Sequence, residues 1–168
     1  MKLARSFVAI MAITALTACD DDDPTDEGVT IADFAGTWTV QSFTYTADDN
    51  PSTTTNLAAI PASAGGPYGI TTLTISNTGS FTGNLRLPGA PIDPIPIGGQ
   101  VVLGSGNNVT VDFNAATEAL GVITDEAGTY AFSNNRNTLT LDLPDVTFDH
   151  TLSGQTAVDS DLRIVATK

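Results

Sequence analysis

The chain has 168 residues, with 19 acidic side chains against 6 basic ones, a formal net charge of −13 and a single cysteine. So large an acidic excess repels the phosphates of nucleic acids and of anionic lipid head groups, whose recognition depends on Lys and Arg, and it excludes nucleic acid as a partner. One cysteine can close no disulfide within the chain, so the fold has to be held by a hydrophobic core, for which 41% hydrophobic residues suffice.

At the N-terminus, Lys2 and Arg5 precede an apolar run from Phe7 to Leu16, and small residues follow up to Cys19. This is the three-part pattern of a secretory signal. The run is shorter than the ~20 apolar residues that span a hydrocarbon core, so it is expected to be removed and not to stay as an anchor. Leu16-Thr17-Ala18-Cys19 resembles the bacterial lipobox, an aliphatic residue and two small ones before a cysteine that receives lipid. The resemblance implies a signal peptide at 1–18, cleavage before Cys19, and a diacylglycerol plus an N-terminal acyl chain on Cys19. Two or more acyl chains give stable membrane attachment. Asp20, Asp21, Asp22, Asp23, Asp26 and Glu27 follow and argue against a buried cysteine, so residues 19–28 read as a solvated tether. Loss of Lys2 and Arg5 takes the net charge to −15 and leaves Arg86, Arg136, Arg163 and Lys168 as the basic residues. The aspartate run resembles the signal that carries some bacterial lipoproteins to the cell surface, whereas Asp20 alone resembles a signal for inner-membrane retention. The length of the run favours the outer membrane or cell surface of the envelope.

The remaining residues, 29–168, read as one all-β domain. A helical turn is expected at Thr30–Phe34. Strands follow at Thr37–Thr46, Gly69–Ser76, Ser80–Leu87, Gln100–Leu103 with part of the Ile-Pro segment before it, Asn108–Phe113, Gly128–Ser133, Thr138–Leu143, Val146–Leu152 and Asp161–Thr167. Several alternate with period two, which gives each strand one apolar face. Leu73 and Ile75 oppose Thr72 and Thr74; Phe81, Leu85 and Leu87 share a face, as do Val109, Val111 and Phe113; Leu139 and Leu141 oppose Thr138 and Thr140. Asn77-Thr78-Gly79 and Asn134-Asn135-Arg136-Asn137 suit tight hairpins, because these residues tolerate positive φ. Eight or nine short antiparallel strands make a closed barrel or a β-sandwich, and alternation alone does not choose.

Phe34-Ala35-Gly36-Thr37-Trp38-Thr39-Val40, a helical turn running into Gly-x-Trp, resembles the opening of lipocalins and bacterial lipocalin-like domains. The stretches Thr72–Thr82 and Gly128–Leu141 fit the same small domains. The resemblance implies an eight- to nine-stranded antiparallel up-and-down barrel in which Gly36 and Trp38 mark the closed end. It also implies a basic residue near the last strand packed over Trp38. Arg163 suits that role chemically, but Leu162, Ile164 and Ala166 share a face that puts it opposite, so Lys168 or a bulge is the substitute. Trp38 and Val40 are likewise out of phase with Phe43 and Tyr45, and a bulge near Gln41 would bring both pairs inward.

Two segments exceed a minimal barrel. Ala47–Pro67, with an apolar centre at Leu57, Ala58, Ala59 and Ile60, stands where lipocalins place a lid, and reads equally as an exposed insertion. Pro88–Gly99, with four prolines, reads as an extended edge or stiff loop.

Chemistry for catalysis is sparse, so no enzyme is expected, and a hydrolase is the least favoured alternative. His150 stands alone on a strand, no Gly-x-Ser-x-Gly elbow occurs, and Gly104-Ser105-Gly106 is a turn without the lysine of a phosphate loop. The carboxylates at Asp125-Glu126, Asp142, Asp145, Asp149 and Asp159-Ser160-Asp161 match no calcium-loop spacing, so neither cofactor nor metal is expected. Two functions remain. In one, the barrel mouth takes a small apolar ligand among Val40, Leu73, Ile75, Phe81, Leu85, Val109, Val111, Phe113, Tyr130, Phe132, Leu139 and Leu141. In the other, the same residues are a solid core, and the protein is a displayed structural or interaction module.

Overall fold

A computed structural model describes residues 28–87, 94–118, 125–148 and 158–168. The expected signal, Cys19 and the acid run of the tether lie outside these residues, as do Pro88, Pro91, Asp149, His150 and Leu152.

Nine strands are described: β1 (Gly36–Ala47), β2 (Thr54–Asn56), β3 (Gly69–Ile75), β4 (Ser80–Arg86), β5 (Ile95–Leu103), β6 (Asn108–Phe113), β7 (Glu126–Ser133), β8 (Thr138–Phe148) and β9 (Val158–Thr167). From β3 to β9 each pairs antiparallel with the next, and β1 pairs with both β3 and β9. Eight strands thereby close into an up-and-down barrel, which removes the free edges a sandwich would keep. The ninth, β2, lies beside Thr44–Thr46 of β1, a stretch that β3 leaves uncovered by pairing only with Gly36–Thr39.

Irregularities in the ladder explain where the simple alternation fails. The β1–β9 register shifts between Val40 and Ser42, so Gln41 is the extra residue of a bulge. Trp38 and Phe43, five positions apart and on opposite faces of a regular strand, are both fully buried as a result. A second shift between Ile70 and Leu73 turns Ile70 inward along with Leu73 and Ile75. The third lies between Leu143 and Val146, at Pro144 and Asp145, and Asp145 has φ +56°. It joins into one strand what reads in sequence as two, and buries both Leu143 and Val146. The Ile-Pro segment is a strand from Ile95 onward and not a loop. Pro96 is tolerated because it precedes Gly99, the first β5 residue paired with β6, so one side of the strand carries no ladder there.

The closed end is built on α1 (Ile31–Phe34). Thr30 donates to the Asp33 carboxylate from its N–H at 2.8 Å and from its hydroxyl at 3.1 Å, which fixes the start of the turn. Phe34 is thereby set under the barrel, its ring edge-on to Tyr130 and Phe132 at 5.0 and 4.9 Å. Trp38 Nε1 donates to the Phe34 carbonyl at 2.7 Å, so the buried indole N–H is satisfied.

Arg163 does not cover Trp38. Leu162, Ile164 and Ala166 are buried, and period two turns Arg163 outward, where it pairs with Asp142 at 3.1 Å on the exposed surface. The cation comes from the chain end instead. Past the last pair of β9, Thr167 with Thr138, Lys168 N–H donates to Asn137 O at 3.0 Å, and Lys168 Nζ lies 4.5 Å from the centroid of the Trp38 ring.

Candidate functional site

The twelve residues expected to line a ligand site converge on the barrel interior and its closed end. Ten are buried, and Val40 and Phe132 are partly so. Leu73 and Tyr130 are the most open of the ten, at 8% exposure. Phe81 and Phe113 meet edge to face across 5.5 Å, and the Tyr130 hydroxyl donates to the Gly106 carbonyl at 3.2 Å. The interior of an eight-stranded barrel is just wide enough to be filled by its own side chains, and the described inward residues form one buried apolar cluster.

The opposite mouth is closed by the connection after β1. The Asn56 side-chain oxygen accepts from Ala58 N–H at 3.1 Å and from Phe43 N–H at 3.3 Å, which holds a 3-10 turn at Leu57–Ala59 over the end of β1. Leu57 is 3% exposed and joins the core, and its carbonyl accepts from Tyr68 N–H at 3.0 Å. Of the four apolar residues expected to form a lid, Leu57 enters the core and Ala58 and Ile60 pack against it. A second plug was not legible in the sequence. Asn114 caps α2 (Ala115–Glu118) by accepting from Thr117 N–H, and the buried Thr117 hydroxyl donates to Gly98 O at 3.2 Å while accepting from Gly98 N–H at 3.0 Å.

Two concavities formed by described residues lie outside the cluster of inward apolar side chains. The larger, about 830 Å³, opens at the closed end between Val29, the β5–β6 turn at Gly106 and Asn107, and Tyr130 to Arg136 of β7 and the turn after it. The smaller, about 330 Å³, is a shallow trough on the outer face of β3, β4 and β5, edged by Thr72, Thr74, Thr82, Asn84 and Pro96.

No family model matches the chain, and no curated protein matches it. Among solved structures, a redesigned beta barrel is similar at 14% identity with a TM-score of 0.47, over 85% of this chain and 97% of that one.

Charge is distributed unevenly along the barrel axis. The turns of the closed end, 76–79, 104–107 and 134–137, and the chain terminus carry Arg136 and Lys168 and no acidic side chain; α1 adds one acid, Asp33. The N–H of Thr30 holds the Asp33 carboxyl below the usual carboxylate range, against the pull of burial and aided by Arg136. At the other end, Asp48 is pushed above the usual range, first by loss of hydration and then by Asp145, Asp161, Asp159 and Asp49. Among the described residues, no three His, Cys, Asp or Glu side chains converge as a metal site requires.

Proposed function

We propose that this chain is an exported envelope lipoprotein, held by lipid on Cys19, whose lipocalin-like barrel serves as a solid-core interaction module. The filled interior carries the reading. Ligand sites occupy roughly 300–1,000 Å³, whereas Leu85, Phe113, Leu139 and Leu141 are buried within one apolar cluster of described residues. What remains for recognition is the outer surface and the loops. Phe34 of α1 packs on Tyr130 and Trp38 at the closed end, and a tether on Cys19 joins the barrel at that end.

A second reading, a small apolar guest at the mouth, is favoured by the lid. Its plug is a single residue, Leu57, on a three-residue turn that packs against β1 and β3.

Native mass spectrometry of protein purified from its own host tests both readings. The expected spectrum carries covalent acyl mass, lost in Cys19→Ser, and no non-covalent companion. A copurifying apolar molecule released by mild activation would replace the solid-core reading with the cargo reading. Absence of acyl mass would remove the anchor.

A further inference from the structure

We infer that the closed-end concavity is a binding site for a short neutral saccharide. The register makes the site. The last β6–β7 pair is Asn108 with Thr129, and Tyr130 N–H then donates to Asn107 O at 2.9 Å, so β7 runs on from Tyr130 to Ser133 with no strand on that side. Backbone groups on a strand alternate in direction, so the N–H and C=O of Phe132 face the same open side as those of Tyr130. Phe132 pairs with Leu139 of β8 on one side, and on the other the β6–β7 ladder has ended at Asn108, so no described strand reaches it there. A donor and an acceptor therefore stand side by side at the concavity that the half-buried Phe132 lines.

The rim is polar and uncharged on balance. Asn107, Ser133, Asn134 and Asn135 line it, and Asn134, Asn135 and Arg136 follow one another at φ +52°, +53° and +63°. Three successive left-handed residues that are not glycine are uncommon, and such backbone persists where the surroundings hold it. Here Arg136 is tied to Asp33 across the end of the barrel, which fixes the turn and neutralises the guanidinium.

The arrangement selects among ligand classes. An extended peptide could make main-chain bonds to Phe132 alone before the turn intervenes, too short an edge for strand addition. A phosphate or carboxylate would meet an arginine already paired. A lipid chain would leave three amides unsatisfied. A sugar ring presents an apolar face to an aromatic ring and hydroxyls to amides and to a backbone donor–acceptor pair. The volume of about 830 Å³ suits more than one ring.

The test is isothermal titration calorimetry of the full chain in detergent with neutral oligosaccharides built of hexose, of pentose and of N-acetylhexosamine. At least one series is expected to bind. Asn135→Gly keeps the left-handed backbone and removes the amide, and Asn107→Ala removes another; each is expected to weaken that series about tenfold, or about 1.4 kcal/mol. Thr82→Ala, in the outer trough, is expected to change nothing. The inference is overturned if no series binds, if binding is unchanged in Asn135→Gly and Asn107→Ala together, or if extended peptides bind at these residues and sugars do not. None of these results bears on the acyl mass or the filled interior, so the solid-core reading stands or falls separately.

Discussion

Lys168, the last residue of the chain, holds its ammonium 4.5 Å from the centre of the Trp38 ring and donates to the Asp33 carbonyl at 2.9 Å. The contact joins the residue after β9 to the start of the barrel and gives the Asp33 carbonyl of α1 a partner. Replacing Lys168 by Ala removes a cation–π contact and a hydrogen bond, and is expected to lower stability by about 1 kcal/mol. Arg163→Ala removes only a surface pair with Asp142 and is expected to cost less than about 0.5 kcal/mol. Urea unfolding followed by the fluorescence of Trp38, the sole tryptophan, measures both. Equal losses would mean that the last turn of the chain does not act as the closing contact.

Gly69 opens β3 at φ +86°, and a Cβ there would stand 2.8 Å from a ring carbon of Phe43. Gly69→Ala therefore combines backbone strain with a clash in the core and is expected to destabilise by about 1–3 kcal/mol. Gly106 has φ +63° with nothing within 4 Å of a built Cβ, so Gly106→Ala isolates the backbone cost, about 1 kcal/mol. The same unfolding experiment separates them; a larger loss at Gly106 would contradict the close approach of Phe43.

The two shifted carboxyls give opposite pH dependences. Asp48, raised in the folded state, binds its proton more readily there than in the unfolded chain, so its ionisation costs stability as pH rises through the folded value. Asp48→Asn is expected to stabilise at neutral pH, with a gain that shrinks in acid and in high salt as the repulsion from Asp145, Asp161 and Asp159 is relieved or screened. Asp33 is lowered, so its contribution is complete above the unfolded carboxylate range and lost as pH falls through the folded value. Asp33→Asn is expected to destabilise at neutral pH and to approach the parent in acid. Thermal unfolding between pH 3 and pH 8 reads both signs at once, and a stabilising Asp33→Asn would sink the assignment.

Strand identity and facing were legible where alternation is clean. Val109, Val111 and Phe113, and Leu139 with Leu141, are buried as their spacing requires, and Thr30–Phe34 carries its own N-terminal stop in Thr30 and Asp33. Closure was expected from the family resemblance but was not legible in the alternation, because it depends on β1 changing partner from β3 to β9, a property of register and not of composition. The bulge at Gln41 could be anticipated from the clash of phase between Trp38 and Phe43, whereas the one at Pro144-Asp145 was concealed by a proline that reads as a strand end. The lipocalin resemblance pointed to a cation over Trp38 but not to which one. That was decided by where the chain runs after Thr167. The closed-end concavity had only the run Asn134-Asn135-Arg136-Asn137 as a sign, and asparagines in a hairpin satisfy the turn without announcing what they face.

The segment between β1 and β3 offers the sharpest test of whether the barrel is plugged at its mouth. Leu57 is as buried as the strand residues it meets, so Leu57→Ala is expected to cost about 3 kcal/mol, the range of a core leucine and far above a loop substitution. Ala59→Ser, on the exposed side of the same 3-10 turn, is expected to change stability by less than about 0.5 kcal/mol. The space left by Leu57→Ala is lined by apolar side chains near Phe43, and an apolar cavity of that kind stays dry and accepts small apolar probes. Benzene is therefore expected to raise the melting temperature of Leu57→Ala and to leave the parent unchanged. A neutral Leu57→Ala would reduce the segment to an exposed insertion. Benzene stabilising the parent as well would show room in the mouth and favour the cargo reading over the solid core.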